Sequence, residues 1–269
     1  LKSTQRRTYW REVTRMQLRL QSKYKPKIER ALRNQVEKFI EKRSELWNEE
    51  LLLVFAKLYR ETVLVFANFQ YKRLKQLSEK QTMGFNAVWT QEVNEWLSMN
   101  GLQLVSTVSN SQKERILAII NNAIQEGVEQ GFGSDVVTTN IVSRLREFGK
   151  IGQGFIAERI ARSETMRAAN IGHMKGANAH NFYVKKEWIA AKDNRTRRQE
   201  RGDEFDHWDL DGQQREMDEV FFQLGRTGKI ANAQQPGDAE APAAFTVNCR
   251  CTIAFEAKRD SNGRIIMKR

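Results

Sequence analysis

"NFYVKKEWIAA", residues 181–191, is where the chain changes its grammar. Up to Asn181 the apolar residues recur at three- and four-residue steps, the period of an amphipathic helix; from here they alternate, the period of a strand. "REMDEVFF" (215–222) and "AAFTVNCRCTIAFEA" (243–257) alternate in the same way, and "GRIIMK" (263–268) closes the chain. The expected class is therefore α+β: a long N-terminal helical arm, a compact helical unit, and a small antiparallel sheet. By this division residues 1–108 are the basic arm and 109–269 a second domain, helical over 109–181 and α+β over 182–269.

Working back from residue 181, three helices are expected. One is over 155–179; one, "GSDVVTTNIVSRLREFGK", is capped by Ser134; one, "SNSQKERILAIINNAIQEG", is capped by Ser109 or Ser111 and stopped by Gly127. Gly84 and "SMNG" (98–101) loosen the pattern before them. In the arm, Leu32, Val36, Phe39, Ile40, Trp47, Leu51, Phe55, Leu58 and Phe66 keep one helical face, which predicts a single long helix over 27–77. Pro26 stands where that helix would begin, since the first turn needs no amide donor. Working forward, "GRTGKIANAQQPGDAEAPAA" (225–244) holds two of the three prolines and no periodicity, and is expected to be a long surface loop.

The chain has 269 residues and a formal net charge of +12. Its mean hydropathy is −0.66 and its sequence pI about 9.8, so a polyanion is the first partner to expect. The charge is concentrated early, at Arg6, Arg7, Arg11, Arg15, Arg19, Lys23, Lys25 and Lys27, which are the candidate contacts to DNA or a protein partner. A solvated helix face is the plain alternative. Residues 51–71 are the most apolar stretch, but Lys57, Arg60 and Glu61 lie in its middle, so it is expected to be a helix buried in protein and not a membrane span. The chain opens on Leu1 with no secretory signal, and two cysteines give no disulfide framework, as in a reducing compartment.

Those two cysteines form a Cys-X-Cys pair, Cys249 and Cys251. On a strand both would lie on one face with Arg250 on the other. Buried core thiols are the first reading; a metal site, possible zinc with His207 as the best further ligand, and a redox pair are the others. Asp193, His207 and Asp211 permit a different chemistry, a divalent ion activating water in a DNA-acting hydrolase or toxin-like enzyme. A solvated charged loop is the simpler account of the same residues. Arg162, Ser163 and Glu164 sit mid-helix and are expected to anchor it by polar contacts. No phosphate-binding glycine loop, Gly-X-Ser-X-Gly or His-Glu-X-X-His motif is present.

Taken in order, "IARSETMRAANIGHMKGA", "KEWIAAKDNRTR", "HWDLDGQ" and "PGDAEAPAAFTVNCRCTI" resemble the phage head morphogenesis family, the Mu F-like minor capsid proteins. The resemblance covers about residues 109–256. Its motif residues fall on Arg162, Ser163, Glu164, Trp188, Asp193, Arg195, Thr196, His207, Leu210, Asp211, Gly212, Asn248, Cys249, Arg250 and Cys251. The pattern departs at one place, where "RRQERGDEFD" (197–206) intervenes before His207. The resemblance implies a non-enzymatic minor protein of the virion, partnered by the portal protein, other capsid proteins and double-stranded DNA, not by membrane. It would lie in the capsid interior near the portal, and in the host cytoplasm during assembly. A plain nucleic-acid-binding module is the remaining alternative.

Overall fold

A computed structural model describes residues 2–42, 48–75, 86–130, 132 and 134–268. The class is α+β, as the change of period predicts. The helices are α1 (Ser3–Lys42), α2 (Glu49–Lys75), α3 (Asn86–Glu129), α4 (Ser134–Glu147) and α5 (Gln153–Asn178). They precede β1 (Val184–Ile189), β2 (Gln214–Glu216), β3 (Phe221–Leu224), β4 (Ile230–Ala233), the short α6 (Ala243–Thr246) and β5 (Thr252–Ala257).

The expected single helix over 27–77 is instead two. α1 starts near the N-terminus and continues through Pro26, which has no amide to give the Ser22 carbonyl; both residues are exposed, where solvent can supply that bond. Asn48 then starts α2 afresh: its Oδ1 accepts the Leu51 amide at 2.8 Å, an N-cap bond, while its Nδ2 donates to Ala31 O at 2.9 Å. Residues 43–47 and 76–77, including Trp47, lie outside the described residues. Ser109 and Ser111 cap nothing, because α3 continues through them and through 98–101; Gly84 is not among the described residues. Likewise α4 does not stop at its glycines: a π-helical stretch, Phe148–Gly152, carries it directly into α5.

The chain packs as two compact units, and the boundary expected near 108 falls inside α3. One unit takes residues 22–57 and 95–161, and among the described residues its elements are all helices. Val36, Ile116 and Leu145 form its centre, with Ile40, Ile120 and Phe148 packed around them. The Tyr24 hydroxyl donates to Lys57 O at 3.0 Å, and a buried amide pair, Gln112 to Gln153 at 3.1 Å, satisfies polar groups inside.

The other unit, residues 1–21, 58–94 and 162–269, contains all the strands. β1 is central in an antiparallel sheet of order β2-β1-β5, with Val184 opposite Ala257 and Ile189 opposite Thr252. β3 and β4 make a separate hairpin pairing Phe221 with Ala233. Two sequence expectations change here. "REMDEVFF" divides between β2 and β3, in different sheets, and the expected loop 225–244 contains β4. β4 was hidden because Ile230 is its one large apolar residue.

Trp188 of β1 is fully buried and meets Phe221 at 5.2 Å and Phe245 at 5.6 Å, both near edge-to-face. The N-terminal part of α1 covers the sheet: the Tyr9 hydroxyl donates to Ile253 O at 2.9 Å and Trp10 Nε1 to Arg250 O at 3.0 Å. α2 and α5 touch backbone to backbone. A Cβ on Gly172 would stand 2.6 Å from Val63 O, and one on Gly176 would stand 2.3 Å from Ala67 O. Only glycine fits at either position.

Candidate functional site

β1 ends at Ile189, and the four sequence motifs meet just beyond it. Asp193 opens a tight turn. Its Oδ1 accepts the Arg195 amide at 3.0 Å and the Thr196 hydroxyl at 3.2 Å, and Thr196 Oγ1 in turn accepts the Asp193 amide at 3.0 Å. Both Asp193 oxygens also take the Arg250 guanidinium. Arg250, with the turn's own donors, holds the Asp193 carboxyl below its ordinary range, although burial opposes this more strongly than any single partner favours it. Asp-X-Arg-Thr is thus a clamp on the segment that carries the cysteines.

Stretch 197–206, the departure from the family pattern, closes on itself. The His207 amide donates to Arg197 O at 3.1 Å, and the Arg198 amide to Asp203 Oδ2 at 3.0 Å. Gly202, at φ +86°, ends its short 3₁₀ turn. Because the loop begins and ends at one hydrogen-bonded pair, it adds length without displacing His207 from the Arg-Thr turn. Asp206 then fixes the next turn, its Oδ1 accepting the Trp208 and Asp209 amides at 2.9 and 3.1 Å.

Asp211 and Gly212 tie this turn back to β1. Asp211 Oδ1 accepts the Ala190 amide at 2.9 Å, and Oδ2 pairs with Lys192 at 2.9 Å and Arg6 at 3.6 Å. Gly212 adopts φ +84° and donates to Trp188 O at 2.8 Å. Leu210 is buried in the core beside them.

Behind the cysteines stands α5. Ser163 Oγ accepts the Asn248 amide at 2.9 Å, and Arg162 donates to Asn248 Oδ1 at 2.6 Å. Asn248 is at φ +60°, a left-handed conformation that asparagine tolerates better than most residues. Glu164 accepts the buried Tyr59 hydroxyl at 2.6 Å and pairs with Arg167 at 2.9 Å. Arg167 extends the anchor to Gly237 O at 2.8 Å, which holds the proline-containing loop against α5.

The Asn248 turn delivers the cysteines. They precede β5 and are not part of it, since residues 243–246 form a helical turn and the strand begins at Thr252. Both face the same way nonetheless. Cys249 Sγ lies 3.4 Å and Cys251 Sγ 3.5 Å from His207 Nδ1, and the Cys251 amide donates to Cys249 Sγ at 3.4 Å. All three side chains are buried. The imidazole packs against Phe245 at 4.6 Å and Trp188 at 5.6 Å. Hydrogen bonding from Cys251, helped by His207 and Arg197, holds the Cys249 thiol well below its ordinary range, whereas burial pushes Cys251 well above it.

Asp193, His207 and Asp211 do not converge as a hydrolytic centre would require. Asp193 is bound to Arg250, Asp211 to Arg6 and Lys192, and His207 turns to the sulfurs. Among the described residues, the group of three that could hold a metal ion is His207, Cys249 and Cys251.

The basic residues of α1 separate by position. Arg6 pairs inward with Glu187 at 3.3 Å as well as with Asp211, and Arg7 donates to Ala191 O at 2.5 Å. Arg11, Arg15 and Arg19 are exposed at four-residue steps. In the helical unit, Lys25 pairs with Glu158 at 3.3 Å, and Lys23 and Lys27 flank the Tyr24 ring at 5.6 and 5.0 Å. No motif or spacing marks the roles of Tyr59, Arg167 or Phe245. Asp206 had one, an Asp two and three residues before amides that its carboxylate caps.

These contacts define a small mixed domain whose motifs close around one histidine and two cysteines. The family model described as phage Mu protein F like protein matches residues 118–254, half of the chain. The chain belongs to that family, and it is a phage head-related protein of the virion. No curated protein and no solved structure matches it. Among the described residues, no helix is long and apolar enough to cross a membrane.

Proposed function

We propose that this protein is a minor structural component of a tailed-phage head, associated with the portal and the packaged DNA. Its role lies in head assembly, DNA packaging or genome delivery. The family supports a head protein; the observation that carries the DNA contact is the exposed row of Arg11, Arg15 and Arg19 on α1. Successive members of the row are about 6 Å apart along the helix, at 1.5 Å per residue. Like charges at i, i+4 disfavour the isolated helix by a few tenths of a kcal/mol per pair, so the row contributes nothing to the fold that would explain it. A phosphate backbone turns that penalty into attraction by releasing counterions. The net charge of +12 has the same sign as the row.

The test is duplex DNA binding by the full chain across a salt series, beside the Arg11→Glu/Arg15→Glu/Arg19→Glu variant. Three phosphate contacts predict a slope of log K against log salt shallower by about 3 in the variant. Equal slopes would remove α1 as the DNA contact. Portal association is tested by co-sedimentation of the chain with assembled portal, and failure to co-sediment would remove that part of the reading.

A further inference from the structure

His207 Nδ1 is almost equidistant from two sulfurs, at 3.4 and 3.5 Å. One imidazole nitrogen offers either one lone pair or one N–H, so it can satisfy one thiol and not two. Its other nitrogen, Nε2, is buried with no hydrogen-bond partner among the described residues. A cation removes the conflict at Nδ1, because it accepts all three donors at once.

We propose that His207, Cys249 and Cys251 bind one Zn²⁺. In tetrahedral zinc, Zn–S of about 2.3 Å and Zn–N of about 2.05 Å place sulfur and nitrogen about 3.6 Å apart. The two observed separations lie within a few tenths of an ångström of that edge. The three donor atoms all lie within 4.8 Å of one another, so one ion reaches all of them. Binding forms two Zn–S bonds and one Zn–N bond and releases the two thiol protons to solvent. Two thiolates then balance the ion's charge, which a buried site demands.

The fourth ligand is water. A cavity of about 10 Å³ borders the three donors and is lined by Arg195, Thr196 and Arg197. It has room for about one water molecule. The ion thereby joins three segments far apart in sequence: the Asp193–Thr196 turn through that water, the His207 turn, and the Asn248–Cys251 segment. Its role is structural. Without it, a sulfur–imidazole hydrogen bond joins the His207 side chain to the cysteines, beside the Arg250 and Asn248 bonds that hold the segment; with it, the loops are also tied by bonds that chelation can remove.

The experiment uses the full chain, expressed with zinc present and purified without chelator, with its metal content measured by mass spectrometry. About one zinc per chain is expected, and none in Cys249→Ser/Cys251→Ser. So that a folding defect in that variant does not decide the result, cobalt(II) is also titrated into metal-free wild-type chain, where a thiolate-to-cobalt charge-transfer band is expected. Wild-type chain without zinc and without that band overturns the proposal. So does zinc retained by the double variant, and stoichiometric copper in place of zinc overturns the choice of ion.

Discussion

Two sets of arginines in the sheet-containing unit share a charge and little else. Arg11, Arg15 and Arg19 stand exposed along α1, whereas Arg6, Arg162, Arg167 and Arg250 end on named acceptors in the protein. The second set closes loops: Arg250 joins the Asp193 turn to the cysteine segment, and Arg162 holds Asn248 to α5. Net charge alone therefore overstates the surface available to a polyanion. Which arginines face DNA is decided by which have found a carboxylate or carbonyl at home.

The sharpest contrast between inside and outside is set by acid. On the inward face of α1, the Tyr9 hydroxyl lies 3.4 Å from His173 Nδ1, and Phe66 packs on the same imidazole at 5.0 Å. Burial, with the Arg73 charge adding to it, pushes His173 down to about 3. The folded pKa is below the unfolded one, so the unfolded chain binds the extra proton. Stability is complete above about pH 6.5 and falls toward pH 3, by about 1.4 kcal/mol per pH unit from this group. Urea midpoints measured at pH 7 and pH 5 should fall less in His173→Asn than in wild type. An equal fall in both would show that His173 does not carry the effect.

Arg250→Ala is the next largest change. It leaves the partly buried Asp193 carboxylate facing the segment with its strongest partner gone, and the half-open setting moderates the loss to about 1–3 kcal/mol. Asp193→Ala should lower stability too, and the double variant should lose less than the two single losses added. Additive losses by denaturant titration would mean that the pair is incidental.

The sequence made some of this visible and hid the rest for physical reasons. Periodicity marked where α5 gives way to β1, although β1 is buried on both faces and exposes only Lys185. It could not mark the break between α1 and α2, which depends on an Asn48 cap, nor the π-helical continuation at Phe148–Gly152. The motif residues were legible as a set, but the reason for each was not: beside local bonds such as those of the Asp193 turn stand contacts that span distant parts of the chain. Cys249 and Cys251 illustrate this: strand alternation predicted one shared face, and they share it through a left-handed Asn248 turn instead. The need for glycine at 172 and 176 was not legible either, since it lies in the α2 backbone opposite.

Two smaller effects test where the boundary between the arginine sets falls. Asn248→Ala removes the Arg162 bond and places a residue less tolerant of positive φ at +60°, for an expected loss of about 1–2 kcal/mol. Asn248→Gly keeps the turn while removing the same bond, so it should be the milder of the two; if it is no milder, the left-handed backbone at this position does not carry the difference. At the far end is the Arg11→Glu/Arg15→Glu/Arg19→Glu variant, whose stability should stay within about 0.5 kcal/mol of wild type, as for exposed sites generally. The variant keeps three like charges at the same spacing, so their mutual repulsion is little changed and lost packing of the alkyl stems is the difference that remains. A thermal melt separates the possibilities: an unchanged midpoint together with lost DNA affinity places these residues wholly on the outward side. A midpoint lowered as far as Arg250→Ala lowers it would move them into the structural set, and the contrast between the two groups would collapse.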